Sequence, residues 1–360
     1  MNVNDYVSCL PIKRRSLLKN ALTATAGTSI GATLLAACGG TTAANTTSSG
    51  SSEGNFPSHP KWKFVFVNHV TTNPFFQPTQ YGIQDACALL GCTYQWTGST
   101  NSIVSDMVNA FDAAVTAKAD GIAVALIDQN AFNAPVESAL QAGIPVVSYN
   151  ADATGNARLA YIGQDLYQSG VSLGQKMAGQ VTSGDVVGFI ATPGALNIQP
   201  RIDGAIAAFK QYAPNVKVTS VATGAQVTDE LNAIEAYYLG HKSVKGMFAV
   251  DGGSTQGLSE IVDKYSLASS IYTCGFDLQP KTLQEINSGN LEFTIDQQPY
   301  LQGFVPVVQL FLYKLSGGLM QPSNTDTGLL FVTKSNVGPY LNSQSRFEGS
   351  SSAEKVISQS

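Results

Sequence analysis

The sequence predicts an α/β protein of two doubly wound lobes, each a parallel sheet covered by helices on both faces. Three observations predict it. Short runs of nearly continuous apolar residues recur along the chain. Amphipathic stretches with apolar residues at three- and four-residue spacing separate them. About 300 residues follow the N-terminal leader, enough for two domains.

Strands are predicted over 63–68, 93–96, 121–126, 145–150, 185–191, 216–222, 246–250, 271–275 and 291–295. Helices are predicted over 80–90, 103–117, 131–142, 170–180, 201–212 and 228–239. A short strand near 161–164 leads into the second set of units, and no internal repeat is evident.

Before these elements stands a leader. Lys13-Arg14-Arg15-Ser16-Leu17-Leu18-Lys19 precedes a weakly apolar run that ends in Leu35-Ala36-Ala37-Cys38. A small-residue run closing on Leu-Ala-Ala-Cys is a lipobox, cut before a cysteine that carries lipid. Residues 1–37 are therefore expected to leave as a signal peptide, with Cys38 lipidated on the outer face of a bacterial membrane. Arg14 and Arg15 fit the twin-arginine export signal, although Leu17 stands where that signal more often has Phe; general secretion stays open. The apolar run is short and diluted by Thr and Gly for a retained membrane span. Residues 38–60 then read as the lipid site and a flexible tether, poor in large apolar side chains.

The formal net charge is −5. Losing Lys13, Arg14, Arg15, Lys19 and Asp5 with the leader removes a net +3, leaving the mature chain near −8. That acidity argues against nucleic acid or an anionic membrane face as partner. Cys87, Cys92 and Cys274 remain in the mature chain. A Cys87–Cys92 disulfide is allowed in an oxidising compartment, but small buried hydrophobes are the default reading. His59, His69 and His241 are scattered, so no metal site is expected. No cofactor is expected either.

Ligands of doubly wound sheets collect at the carboxyl ends of the strands. There the sequence places His69, Asn73, Phe75 and Phe76, then Asp128, Asn150 and Asp152, Asp251, Asp277, and Asp296 with Gln297. Any one such Asp or Asn is as readily the cap of the next helix. Together with two aromatic rings they make a polar slot with an apolar wall. Hydroxyls both donate and accept, so Asp, Asn, Gln and Arg match a neutral sugar or polyol, while the CH face of its ring packs on an aromatic plate.

These residues resemble the periplasmic sugar-binding proteins of ABC importers, in particular the ribose-binding branch, over about 63–334. Asn73-Pro74-Phe75-Phe76 matches that branch's opening motif, Gly143-Ile144-Pro145-Val146-Val147 with Asn150 a sugar-binding strand end, and Gly194 through Arg201-Ile202-Asp203-Gly204 its G…R-x-x-G element. Phe248-Ala249-Val250-Asp251, Gly275-Phe276-Asp277 and Thr294-Ile295-Asp296-Gln297 match the remaining hydroxyl-binding ends and the hinge glutamine. The resemblance implies a type I periplasmic binding protein whose lobes are joined by a three-segment hinge near 163–165, 295–297 and 326–328. The first lobe would be 61–164 with 297–326 and the second 165–296 with 327–340, followed by a disordered tail over 341–360. Sugar contacts would be Asn73, Phe75, Phe76, His69, Asp128, Asn150, Arg201, Asp251, Asp277 and Gln297.

Two departures bear on the ligand. Asn150-Ala151 replaces an Asp-Arg pair, and Ala225 or Gln226 falls where a second-lobe aromatic is usual. Ribose itself is therefore not predicted, and pentose, hexose, deoxy-sugar and cyclic polyol stay open.

The expected function is to capture such a ligand by hinge closure and deliver it to an ABC permease, as a lipid-anchored monomer. A ligand-presenting receptor for a chemotaxis or sensor-kinase partner is the alternative. An enzyme is not expected: the chain has no G-x-G-x-x-G after its first strand, no phosphate loop and no G-x-S-x-G elbow. A transcriptional effector domain would need a helix-turn-helix where the leader and tether stand.

Overall fold

The computed structural model describes residues 57–319 and 322–342. Arg14, Arg15 and Cys38, most of the expected tether and the end of the expected tail lie outside the described residues.

The chain begins with β1 (Lys63–Asn68), a 3-10 turn (Pro74–Phe76), α1 (Gln77–Leu90), β2 (Thr93–Gly98), α2 (Val104–Thr116), β3 (Gly121–Val124), α3 (Asn133–Gln141), β4 (Val146–Tyr149) and β5 (Ala160–Gly163). There follow α4 (Leu166–Ala178), β6 (Ser183–Ile190), α5 (Gln199–Tyr212), β7 (Asn215–Ala222), α6 (Val227–Gly240), β8 (Gly246–Ala249), α7 (Gly252–Tyr265), β9 (Tyr272–Phe276), α8 (Pro280–Ser288) and β10 (Phe293–Asp296). It closes with α9 (Pro299–Ser316), β11 (Asn324–Asp326), β12 (Leu330–Thr333) and α10 (Gly338–Asn342).

The strands form two six-stranded sheets, ordered β2-β1-β3-β4-β5-β11 and β7-β6-β8-β9-β10-β12. The order reverses between β1 and β3 in one and between β6 and β8 in the other, which places a crevice at the strand ends there. β3, β4 and β5 are buried at every position, as apolar strands covered on both faces must be. β7, at an edge, is largely exposed. One pairing departs from the parallel expectation, since β12 runs antiparallel to β10.

Expected strand ends shift by one or two residues. α7, α8 and α9 are not among the helical stretches expected above, and each carries Gly or Pro, which disfavour helix: Gly252-Gly253, Pro280 and Pro306. Local contacts outweigh that signal: the Asp251 carboxylate caps α7 by accepting from the Ser254 amide at 2.8 Å, and α9 buries Val307, Leu310 and Phe311. Asp165 caps α4 in the same way, at 3.0 Å from the Gln168 amide.

The chain passes between the sheets after β5, after β10 and after β11, and these passages are tied together. The Thr327 amide donates to the Gly163 carbonyl at 3.0 Å, its hydroxyl donates to the Gln297 carbonyl at 2.7 Å, and Gln164 Nε2 donates to the Gly328 carbonyl at 2.8 Å. Cys87 and Cys92 are free buried thiols, not a disulfide, and burial pushes them up to about 12 and about 11. No helix among the described residues is long and apolar enough to cross a membrane.

Candidate functional site

β1 delivers His69 to the mouth of the first sheet, where the ring is buried and stands edge-on to Phe76 at 5.3 Å between centroids. Phe76 also meets Phe75 at 4.7 Å and Trp96 at 5.9 Å. The aromatic wall is thus built from the first sheet. Trp96, on β2, is a member that the sequence reading missed. Opposite, Phe276 is covered by the Arg201 guanidinium, 4.1 Å above its centroid. Gln226, at the position of the expected missing ring, instead donates to the Thr100 carbonyl and to Asn101 Oδ1, each at 2.8 Å.

Arg201 is 2 % exposed although it carries a full guanidinium. It sits in the first turn of α5 and donates to the Val250 carbonyl at 2.9 Å and to Gln164 Oε1 at 3.1 Å. Burial lowers its pKa, opposed by the charges of Asp277, Tyr161 and Asp251. Asp277 ends β9 in the left-handed region, φ 74°, and accepts from Gln297 Nε2 at 2.6 Å. Burial pushes Asp277 up to about 7 against the pull of Arg201.

Asn150 at the end of β4 has φ 64° and Gln298 after β10 has φ 58°, so three non-glycine residues hold left-handed backbone at adjacent strand ends. Asn and Asp tolerate this conformation best, and such strain gathers at ligand sites. Gln302 on α9 joins two of these ends. Its Oε1 accepts from Asn150 Nδ2 at 3.1 Å and its Nε2 donates to Gln297 Oε1 at 3.1 Å.

Asp251 does structural work as well. One oxygen caps α7 and the other accepts from the Ala191 amide at 3.0 Å, tying β8 to the end of β6. Beside it Glu230, buried on α6, is hydrogen-bonded to Asp251 and pushed up to about 10 by burial and by that carboxylate. Burial beside that carboxylate favours its neutral form. Gly253 leaves it room, since a Cβ there would overlap the Glu230 carboxyl.

The structure gives two of the expected contacts local roles. Asn73 Oδ1 accepts from the Phe75 amide at 2.9 Å, and Asp128 Oδ1 accepts from the amides of Asn130 and Ala131 at 2.9 and 2.8 Å. These are caps, the alternative use of Asp and Asn after a strand. His69, Phe76, Asn150, Arg201, Asp251, Asp277 and Gln297 fall in the shared region, with Phe75 at its edge. Asn197, Glu230, Gln279 and Gln302 were not anticipated. Only their positions near quoted motifs, such as Gln279 two residues after Asp277, could have signalled them.

Several of these buried polar atoms have no hydrogen-bond partner: His69 Nδ1 and Asn150 Oδ1 from the first sheet's side, and Asn197 Oδ1, Arg201 Nε and both amide atoms of Gln279 from the second's. A buried unsatisfied group costs about 1–3 kcal/mol. Donors and acceptors of both kinds, with one guanidinium and neutral or partly neutral acids, suit a ligand of many uncharged hydroxyls.

A family model described as a periplasmic binding protein domain matches residues 64–317. The chain is 52% identical over 321 residues to the xylose/arabinose-binding protein XylF of Sulfolobus acidocaldarius, covering 85% of this chain and 79% of that protein. It is 26% identical over 242 residues to the ribose import binding protein RbsB of Escherichia coli, covering 65% and 79%. An ABC-transporter solute-binding protein of Burkholderia graminis, solved in complex with D-arabinose, superposes with a TM-score of 0.74 at 25% identity, covering 79% of this chain and 99% of that one.

Proposed function

The chain belongs to the periplasmic binding protein family, in its type I sugar-binding form, and on that premise we propose that it captures a neutral pentose, xylose or arabinose, for an ABC permease. The observation that carries the reading is the set of unpartnered buried donors and acceptors contributed by the strand ends of both sheets. The pentose comes from the 52% identical relative, whose name records xylose and arabinose.

In this reading 61–164 with 297–326 and 165–296 with 327–340 act as lobes that close on the sugar through the three passages. Phe75, Phe76 and Trp96 receive the CH face of the ring. Arg201, Asp277, Asn150 and His69 take hydroxyls, and Gln297 and Gln302 hold Asp277 and Asn150 in place. Asn73, Asp128 and Asp251 shape the loops that carry these groups. Cys38 and the tether hold the receptor on the extracytoplasmic face, beside the permease.

Calorimetry and thermal shift across a panel of pentoses, hexoses, polyols and sugar phosphates test the reading. Xylose and arabinose are expected to bind and raise the melting temperature, because a ligand held only by the native state stabilises it. Silence with every neutral sugar, or preference for a sugar phosphate, would overturn it. In cell fractions, Cys38→Ser is expected to release the protein from the membrane.

A further inference from the structure

A cavity of about 390 Å³ lies beside the sugar slot and shares Phe75 and Gln279 with it. One wall is the segment from Pro74 to Pro78 that leads into α1, and the other is the β9–α8 connection with α8, closed by Pro299 and α10. Its size falls within the roughly 300–1,000 Å³ of small-molecule sites.

Two residues connect it to the slot. Phe75 lines the cavity and touches Phe76. Gln279 lines it too, is only 6% exposed, and keeps both amide atoms unpartnered. Its side chain lies so close over Gly252 that a Cβ there would overlap the amide. Gly252 follows Asp251, so the Gln279 side chain spans from the cavity wall to the slot.

The chemistry of the lining is specific. It contains no charged side chain; its polar groups are the amides of Gln77 and Gln284 and the phenol of Tyr340, set among Phe75, leucines and prolines, while the buried Gln279 amide lies behind the wall against Gly252. Each amide can donate and accept, and rings supply flat apolar surface. That combination fits a second neutral sugar ring and supplies no charge to pair with a phosphate, an amine or a carboxylate. We propose that this cavity is a subsite for a second pentosyl unit, so that the protein takes a pentose disaccharide as well as the monosaccharide. The proposal rests on the pentose reading above, and both walls come from segments that closure brings together.

The test compares xylose with xylobiose by calorimetry, with native mass spectrometry to verify that the intact disaccharide is bound. Gln284 is exposed on the cavity rim and carries none of the sugar contacts assigned above, so Gln284→Trp fills the cavity without removing a slot residue. Wild type is expected to bind xylobiose within tenfold of xylose. Gln284→Trp is expected to weaken xylobiose at least tenfold and leave xylose within twofold. Gln77→Trp, from the opposite rim, is expected to do the same, and retained xylose binding reports that each variant is folded. Xylose binding without xylobiose binding overturns the subsite and leaves the pentose reading intact. Xylobiose binding that neither tryptophan weakens also overturns the subsite. Failure to bind either sugar overturns both.

Discussion

Asp277 is held between opposing influences, and the balance has a measurable sign. Burial raises it most, Asp251 and Asp296 add to that, and Arg201 and the Gln297 amide pull it down, leaving it near 7 against an ordinary 3.8. The folded chain therefore holds this proton more tightly than the unfolded chain. The associated stability is complete below pH 3.8, is lost as pH rises toward 7, and is constant above that. A shift of this size corresponds to about 4 kcal/mol. Asp277→Asn cannot titrate, so its stability is expected to fall less steeply with rising pH than that of the wild type. Denaturant unfolding of both proteins from pH 4 to 8 checks this; parallel curves would refute the assignment. Arg201 works at the same scale. Its unpartnered Nε and its seat on Phe276 make it a preorganised donor rather than a surface charge.

Helix packing decides where these side chains stand. α4 lies against α5 through Gly170, where a Cβ would overlap the Arg201 carbonyl, and through Gly174, where it would press on Ala205. On the other side, α1 meets α9 through Gly82 and Gly303, each against the partner's backbone. The first contact sets the height of Arg201 over Phe276, and the second sets Gln302 relative to Asn150. Gly170→Ala is expected to cost about 1–3 kcal/mol by overpacking and to weaken sugar binding beyond that of a control such as Gly179→Ala, where a Cβ would meet only ordinary van der Waals contacts. Unfolding curves and calorimetry on the two variants separate these effects. Equal affinities would show that the contact does not position Arg201.

Across the whole molecule, loops of the two sheets already touch. The Leu196 amide donates to the Ile127 carbonyl at 2.9 Å, Asn197 Nδ2 lies 3.1 Å from His69 Nε2, and Gln226 reaches Thr100 and Asn101. Burial holds His69 down to about 4, so at neutral pH its ring is uncharged and Nε2 can accept from Asn197. In the hinge-closure reading these contacts would hold the closed form rather than the ligand. Gln226→Ala is expected to speed sugar release severalfold with little change in stability, as for surface substitutions generally. Stopped-flow dissociation measures that, and small-angle scattering should show compaction on adding pentose. An unchanged release rate would assign Gln226 no role in closure.

Strand and helix periodicity were legible because burial on both sheet faces leaves an apolar run at each strand. Arg201, Asp277, Gln297 and Asn150 were legible as polar residues at a strand end or a helix start within a short motif. That Asn150 is left-handed and bonded to Gln302, which lies 152 positions away, was not. Asn197 and Gln279 stand near quoted motifs but have no pattern of their own; their role comes from being buried with unpartnered atoms, which is a property of packing. Asn73 and Asp128 show the converse, since a strand-end Asn or Asp reads the same whether it faces a ligand or caps its own turn. The sequence by itself determined the two-lobed α/β fold and the sugar-like character of the strand ends, because periodicity and side-chain type are local. Only the tertiary structure decided which polar atoms are left unpaired, which helices approach through glycine and where a second cavity opens, because each depends on segments far apart in the chain meeting at one place.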